Sequence, residues 1–257
     1  MIEKIGIQTF TIRNNIKTLA CLEESFRYYC NIGIKNFELA RIHFDEQEMN
    51  LLKRLKDELG LEYTACQLTL SKIVKNFDFM INFCRQLDIK YLEVSVIPIQ
   101  NFIKGKKGIL DLCLMLDNLG RKTAEHGVHL LYHHHNFELI NFDGITSFDL
   151  MIKGTDEKLV SFVCDTYWLA KSGYDPAKFI VKRLSRVKGI HLKDIKLQFK
   201  LGKFVTTDTA IGEGTIDFNS VIMLDNNNQI DFYSIEQDTK NPKEDIKRSY
   251  TYLKEKI

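Results

Sequence analysis

Prolines, paired cysteines and linkers are scarce in this sequence. It has 3 prolines and 1 tryptophan in 257 residues, and none of its 6 cysteines forms a Cys-x-x-Cys pair. Most cysteines lie in apolar surroundings, which favours reduced, buried thiols over disulfides or a thiolate zinc site. No low-complexity linker or repeat of solenoid period divides the chain. We therefore expect one domain over residues 1–257.

Long apolar runs and an excess of one charge are also missing. No run reaches the roughly 18 apolar residues that a membrane-spanning helix needs. The N-terminal MIEKIGIQTF lacks the basic stretch and apolar core of a signal peptide. Lys and Arg number 36 against 34 Asp and Glu, which leaves no polycationic footprint for nucleic acid or anionic lipid. We expect a cytoplasmic protein that acts on a small polar molecule, with no nucleic-acid or membrane partner; a homo-oligomer is compatible with these features.

Short runs of β-type residues recur along the whole chain. There are eight of them, at residues 4–10, 36–40, 61–67, 91–98, 128–135, 159–167, 187–195 and 230–238. Helix-type stretches lie between the runs. In residues 45–60 the apolar side chains recur at spacings of three and four, and the final glycine suits a C-cap. Alternation of this kind favours a parallel sheet, because parallel neighbours need crossover connections.

The number of units selects the fold class. Eight strand–helix units are the content of a closed (β/α)8 TIM barrel, whose usual length is about 250 residues. An open doubly wound sheet is the alternative, but TIRNN and not a G-x-G-x-x-G or Walker loop follows the first run. We predict an α/β fold, a single-domain TIM barrel. Residues 195–217 are too long for an ordinary connection and are interpreted as a lid over the substrate.

Polar residues stand at the C-terminal ends of the last four runs, where the loops of a barrel converge around one mouth. The fifth run ends in three histidines with a glutamate three residues later, and the following runs carry acids and a further histidine. Three carboxylates and one imidazole suit one divalent cation, Mn²⁺, Mg²⁺ or Co²⁺ before Zn²⁺. The predicted ligands are Glu138, Asp165, His191 and Glu236.

Each of these residues also has an ordinary structural explanation. A strand histidine is often a hydrogen-bonded core residue, and Glu138 could be a solvated loop carboxylate. Asp165 could cap the following helix, because Asp is a favoured N-cap residue. Glu236 could pair with Lys193 or Arg183. A shared metal is favoured because four unrelated structural roles would otherwise fall at the same end of four consecutive strands.

Six segments resemble, in order and spacing, the xylose-isomerase-like TIM barrels grouped as sugar phosphate isomerases/epimerases. They are GIQTFTIRN (6–14), YHHHNFEL (132–139, close to the family pattern YHNHxxEF), CDTYWLAKSGYDP (164–176), IHLKD (190–194), IGEGTIDF (211–218) and SIEQD (234–238). The similarity covers nearly the full length. That family includes ketose 3-epimerases, hydroxypyruvate isomerase and inosose dehydratase, and is distantly related to endonuclease IV.

The resemblance implies the same four metal ligands and makes Glu138 and Glu236 the acid/base pair of an epimerase. In epimerase-type relatives a glutamate ends the fifth strand, often as E-x-x-N, whereas residues 133–135 are histidines here. Either Glu138 reaches back or a histidine substitutes, and His135 is the alternative base. Trp168 stands where several relatives carry a substrate-binding histidine, so it either stacks on a sugar ring or packs in the core.

The function that we predict is a divalent-metal-dependent isomerase or epimerase acting on a small keto or aldo sugar or its phosphate. It would abstract a proton α to a carbonyl and pass through an enediolate. A dehydratase acting on a keto-inositol or 3-keto sugar is the alternative, since it needs the same metal and enolate but expels a β-substituent. The predicted substrate contacts are His133, Trp168, Lys193 and Glu213; Lys193 could instead pair with an acid, and Glu213 could be solvated.

An endonuclease is the third hypothesis, and it is disfavoured. Phosphodiester hydrolysis of that type needs two or three metals and more ligands. The first four runs supply few, with Glu38, Gln67 and Ser95 at the ends of the second, third and fourth. The balanced charge also argues against binding to DNA.

Overall fold

Eight parallel strands close into a barrel in the computed structural model, which describes residues 2–200, 202–224 and 228–256. Strands one to eight are, in chain order, Ile5–Gln8, Asn36–Ala40, Glu62–Leu68, Tyr91–Val94, His129–His133, Val160–Asp165, Val187–Leu192 and Phe232–Ile235. Consecutive strands pair in parallel, and strand one closes the ring against strand eight. The predicted TIM barrel is confirmed, and every predicted run contains most or all of one barrel strand.

Helices connect the strands. They are α1 to α11, at Leu19–Asn31, Glu46–Leu59, Leu70–Lys75, Phe77–Gln86, Ile99–Ile103, Gly105–Ala124, Ser147–Gly154, Thr166–Lys171, Pro176–Val181, Phe218–Ile222 and Pro242–Lys256. The predicted helix at 45–60 is α2. The Asp45 side chain accepts the Glu48 N–H at its start, and Gly60 ends it with a φ of 64°. Within the described residues, no helix combines the length and the apolar character needed to cross a bilayer.

Two antiparallel hairpins extend the loops at the C-terminal mouth. A short hairpin pairs Asn141–Phe142 with Ile145–Thr146 after strand five. A longer hairpin pairs Asp194–Lys200 with Lys203–Thr209 and begins two residues after strand seven. It occupies much of the stretch interpreted from the sequence as a lid. Apolar side chains on it are exposed, whereas the barrel strands are buried at nearly every position.

The inside of the barrel is layered. Ala65, Leu131, Val163 and Phe232 form an apolar cluster separate from the main core between barrel and helices. Side chains two residues further along a strand point to the same face. The alternation therefore carries polar side chains into the barrel above this cluster, nearer the mouth. The layer contains Gln8, Glu38, Gln67, Glu93, His133, Asp165 and His191, of which the acids and histidines have at most 2% exposure.

Strand seven has a glycine, Gly189, beside the apolar cluster. Because Gly189 has no side chain, the ring of Phe232 fits against it. A Cβ added at Gly189 would lie 2.3 Å from Cζ of Phe232. We expect Gly189→Ala to lower the free energy of unfolding by about 1–3 kcal/mol, measured by urea denaturation. Gly189→Ala combined with Phe232→Leu should cost less than the sum of the two single changes, because the smaller side chain makes room. Strictly additive losses would contradict this contact.

Candidate metal centre and pocket

Four buried side chains meet at the C-terminal mouth of the barrel. They come from strands five to eight, and each stands at or next to the end of its strand. Each offers one ligand atom, and these atoms lie within 4.8 Å of one another. The group consists of His133, Asp165, His191 and Glu236. The structure thus brings together three of the four predicted ligands with His133, which was predicted to contact substrate and is one of the three histidines left open as substitutes for Glu138.

The donor atoms of this group suit a cation. His133 Nε2, Asp165 Oδ2 and His191 Nδ1 are buried and make no hydrogen bond within the described structure. His191 Nδ1 lies 2.8 Å from Glu236 Oε2 without hydrogen-bond alignment. Burial lowers the pKa of His191, but Glu38 and Glu236 outweigh it and raise that pKa well above the usual range, so a cation bound at Nδ1 would displace a proton. Buried polar atoms without partners are costly, whereas neighbouring ligands of one cation lie about 3 Å apart when metal–ligand distances are about 2.1 Å. The group could therefore hold a metal ion.

The three consecutive histidines have three different environments. His133 Nδ1 donates to the Ser95 carbonyl at 3.4 Å, which leaves Nε2 facing the group. His134 Nδ1 donates to the His135 carbonyl at 3.0 Å, and its Nε2 accepts the Asp165 N–H at 3.1 Å. His134 therefore ties strand five to the end of strand six.

The third histidine, His135, lies on the wall of a cavity next to the group, and its Nδ1 has no partner among the described residues. Burial lowers the pKa of His133 and of His135 to about 3; His191 adds to the shift of the first and His133 to that of the second. Both rings are therefore neutral near pH 7. A neutral imidazole can bind a metal or accept a proton.

Glu138 lies outside this group of possible metal ligands, although the sequence placed it among them. Its Oε1 accepts the Tyr132 O–H at 2.6 Å, and its Oε2 accepts the His135 N–H at 2.7 Å. Burial raises its pKa despite these hydrogen bonds. Tyr132 faces away from the barrel interior because strand residues alternate, and the turn after strand five folds Glu138 onto it. His133 takes the fifth-strand position in the group.

Lys193 supplies positive charge next to the group. Its Nζ lies 3.0 Å from Glu236 Oε1 and 3.4 Å from Asp208 Oδ2. Burial opposes the charge on Lys193, but Glu236, Asp165 and Asp208 outweigh it and raise the lysine pKa. Burial likewise opposes the charge on Glu236, but Lys193 and His191 lower its pKa well below the usual range. The pairing of Lys193 with Glu236, one of the structural explanations considered, is present.

Of the other structural explanations, the helix-capping role of Asp165 is present and the pairing of Glu236 with Arg183 is not. Asp165 Oδ1 accepts the Trp168 N–H at 3.0 Å and so caps α8, while its Oδ2 remains free for the group. Arg183 pairs with Asp149 and not with Glu236. Asp165 therefore combines a structural role with a free ligand atom.

A cavity of about 320 Å³ opens onto the group. It shares His133, His135 and Glu236 with the site, and its other polar lining residues come from the first four strands and the loops after them. These residues are Gln8, Arg41, Gln67, Thr69, Lys72 and Ser95. Gln8, Arg41 and Lys72 are not metal ligands, so the ligand pattern on strands one to four did not predict them. Their positions at or shortly after strand ends are the signal that could have identified them.

Trp168 and Glu213 were predicted to contact the substrate, and the structure places both off the lining of this cavity. The Trp168 ring is half-buried, with its centroid 5.3 Å from that of His135. Glu213 Oε1 accepts from Arg248 Nε at 2.7 Å in an exposed ion pair. Trp168 therefore packs beside the site, and Glu213 belongs to the surface of the loop after the long hairpin.

That loop is held by Asp194, whose role was not recognised from the sequence. Its Oδ1 accepts the N–H groups of Ile195 and Ile216, and its Oδ2 those of Gly212 and Gly214, at 2.8 to 3.2 Å. A Cβ at Gly214 would lie 2.3 Å from Asp194 Oδ1, so a glycine is needed there. The Gly-Glu-Gly segment thus wraps around a buried carboxylate.

Further polar contacts lie below the group. Glu38, Glu93 and His191 offer ligand atoms that also lie within 4.8 Å of one another. Gln67 Nε2 donates to Glu93 Oε1 at 2.8 Å. Burial raises the pKa of Glu93 well above its ordinary value, and Glu38 adds to the shift. Glu93 was not identified as a candidate from the sequence.

Comparisons with known proteins agree with this fold. The family model for the xylose isomerase-like TIM barrel matches residues 26–256. The inosose dehydratase of Clostridium beijerinckii is 32% identical over 157 residues, an alignment that covers 55% of this chain and 52% of that enzyme. The chain spans about half the length of the curated relatives it matches.

Solved structures show the same fold at low identity. A sugar phosphate isomerase/epimerase from Parabacteroides distasonis superposes with a TM-score of 0.79 and 19% identity, covering 98% of this chain and 93% of that chain. A xylose isomerase-like TIM barrel protein from Mycobacterium smegmatis, in complex with magnesium, has a TM-score of 0.74 and 12% identity, covering 98% and 96%.

The Asp194 contacts can be tested by one atom change. In Asp194→Asn an amide NH2 would face backbone N–H groups, so we expect the free energy of unfolding to fall by about 1–3 kcal/mol. Proteolytic cleavage between residues 210 and 217 should also become faster. Glu213→Gln is the matched control, because it removes only an exposed ion pair of the same loop. Equal stability and equal cleavage of the two variants would contradict the role given to Asp194.

Proposed function

The chain belongs to the xylose isomerase-like TIM barrel family, and from this premise we propose that it is a divalent-metal-dependent lyase. Its substrate would be a cyclic polyhydroxy ketone of the keto-inositol or 3-keto sugar class, from which it removes water. The observation that carries the proposal is a buried group of two histidines and two carboxylates at the edge of a polar cavity. Similarity to inosose dehydratases supports dehydration over isomerisation.

We assign one divalent cation to His133, Asp165, His191 and Glu236. All four ligands come from one chain, so no partner subunit is needed to complete the site. Two imidazoles make the set richer in nitrogen than the sequence suggested, which favours Mn²⁺, Co²⁺ or Zn²⁺ over Mg²⁺. Bound there, a cation would supply Lewis acidity to a carbonyl oxygen of the substrate.

We assign proton transfer to His135 and not to Glu138. His135 lines the cavity and is neutral with a free Nδ1, whereas both oxygens of Glu138 are engaged in the turn. The imidazole would take the proton from the carbon next to the carbonyl. The imidazolium would return that proton to the β-hydroxyl, which leaves as water. One C–H and one C–O bond break, a C=C bond forms, and His135 ends neutral.

The low pKa of His135 has a consequence for this step. A base with a pKa of about 3 accepts a proton weakly, so the transfer needs a carbon acid whose carbonyl is strongly polarised. Glu236 and Asp165 oppose the downward shift and would stabilise the imidazolium once it forms. Trp168 packs against the ring and would limit its reorientation.

An isomerase or epimerase is the second candidate. It is favoured by the structural similarity to a sugar phosphate isomerase/epimerase, at the level of fold. The first proton abstraction would be the same. The reactions differ in whether the proton returns to a carbon or to a leaving hydroxyl.

The reaction can be decided with metal-loaded protein and a keto-inositol in D2O. We expect mass spectrometry to show loss of one water and ultraviolet spectra to show a new conjugated carbonyl. Deuterium incorporation without loss of water would contradict the lyase and support the isomerase. If neither deuterium exchange nor water loss occurs with keto-inositols or 3-keto sugars, both the lyase and the isomerase proposals are contradicted.

The base is tested by substitution of His135. His135→Ala should lower kcat by about 10²- to 10⁴-fold, because general base catalysis contributes that much. His126→Ala is the matched control, since His126 is exposed and precedes strand five, at the end of the barrel opposite the site. A kcat for His135→Ala equal to that of the control would exclude His135 as the base.

The ligand set is tested by metal analysis after dialysis. We expect one divalent ion per chain in the parent protein and in Glu138→Gln, and loss of the ion in His133→Ala. The reason is that His133 belongs to the group, whereas both oxygens of Glu138 are hydrogen-bonded in the turn. Circular dichroism would establish that both variants fold. The reverse pattern, with metal lost from Glu138→Gln and kept by His133→Ala, would restore Glu138 as the ligand.

A further inference from the structure

His191 lies between two carboxylates inside the barrel. Its Nδ1 is 2.8 Å from Glu236 Oε2 at the mouth, and its Nε2 is 2.8 Å from Glu38 Oε2 in the interior. Of these two contacts, the one with Glu38 has hydrogen-bond geometry. Both His191 and Glu38 are 0% exposed, so water does not compete for either ring nitrogen.

We propose that Glu38 is a positioning residue for the cation, because it accepts the Nε2–H of His191 and fixes the tautomer whose Nδ1 lone pair faces His133, Asp165 and Glu236. A cation that binds Nδ1 displaces any proton there, and the hydrogen bond to Glu38 keeps the other proton on Nε2, because the partner of one ring nitrogen decides which nitrogen is free to bind metal. The inference rests on the proposed cation site. It adds to that site Glu38 on strand two, which orients the ligand His191 on strand seven.

The orientation of Glu38 follows from a directional series of hydrogen bonds. The Phe10 N–H donates to Gln8 Oε1 at 2.6 Å, which leaves the Gln8 amide NH2 to donate to Gln67 Oε1 at 3.1 Å. Gln67 must then present its own NH2 to the carboxylates. It donates to Glu93 Oε1 at 2.8 Å and to Glu38 Oε1 at 3.5 Å.

This series fixes Glu38 as an acceptor on both oxygens. Oε1 faces a donor from Gln67, and Oε2 is left for His191. Gln8 and Gln67 also line the cavity, so the series connects the substrate side of the barrel to the back of a metal ligand.

A second cation among Glu38, Glu93 and His191 is the competing explanation, because their ligand atoms also lie close together. The donors argue against it. Gln67 Nε2 and His191 Nε2 both point their hydrogens at these carboxylates, where a cation would need lone pairs. The geometry therefore favours one bound ion per chain.

The test uses Glu38→Gln, with Glu93→Gln as the matched control in the same layer. Glutamine at position 38 must direct its NH2 either at the NH2 of Gln67 or at His191 Nε2. The second orientation forces the proton of His191 onto Nδ1, which removes the lone pair with which Nδ1 would bind the metal. Glutamine at position 93 makes no contact with a His191 nitrogen within the hydrogen bonds described.

Titration of chelator-treated protein with Co²⁺ or Zn²⁺ gives the readout. We expect Glu38→Gln to raise the Kd for the cation by about 10- to 100-fold, with little change for Glu93→Gln. NMR of ¹⁵N-histidine in the zinc-loaded protein should show a protonated Nε2 for His191 in the parent and in Glu93→Gln. That signal should be lost in Glu38→Gln.

Three results would overturn the inference. These are a parent-like Kd in Glu38→Gln, an unchanged His191 tautomer in that variant, or two ions per parent chain. Equal weakening by both variants, with the tautomer unchanged, would indicate a general structural role. If the parent itself binds no cation, the proposed metal site fails, which is a different outcome from failure of the positioning role. Glu38→Ala provides a second variant if Glu38→Gln does not fold.

Discussion

Burial of acidic groups at one end of the barrel is the constraint on which the site depends. Glu38, Glu93 and Asp165 are 0% exposed and Glu236 is 6% exposed. Charges removed from water are costly unless they are paired or hydrogen-bonded. Lys193 neutralises part of this charge through Glu236, and His191, which lies between Glu38 and Glu236, neutralises more. The four candidate ligand atoms lie within 4.8 Å of one another, so a cation between them could balance the charge that remains.

The carboxylates of this region divide their oxygens between structure and site. One oxygen of Asp165 caps α8 and the other faces the group. One oxygen of Glu236 is held by Lys193 and the other lies beside His191. Glu38, one layer deeper in the barrel, accepts from Gln67 with one oxygen and from His191 with the other. The structural explanations and the metal explanation of these residues are therefore compatible, because packing orients the oxygen that is left free.

Much of the fold and part of the site could be predicted from the sequence. Eight strands were predictable because parallel barrel strands are short, buried runs separated by helices. Asp165, His191 and Glu236 follow from their places at strand ends. Glu138 lies outside the group because the turn after strand five folds it onto Tyr132, which the sequence does not show. Alternation along Leu131 and His133 is the signal that could have shown which histidine faces inward. Glu38 and His191 are 153 residues apart, and barrel closure alone brings them together.

X-ray absorption at the metal edge of the Co²⁺- or Zn²⁺-loaded protein tests the central claim most directly, because it counts the imidazoles around the ion. The account predicts two imidazole nitrogens and two or more oxygens at about 2.0–2.2 Å. A shell with one imidazole or none would contradict the ligand set, and failure to load any divalent ion would contradict the account as a whole.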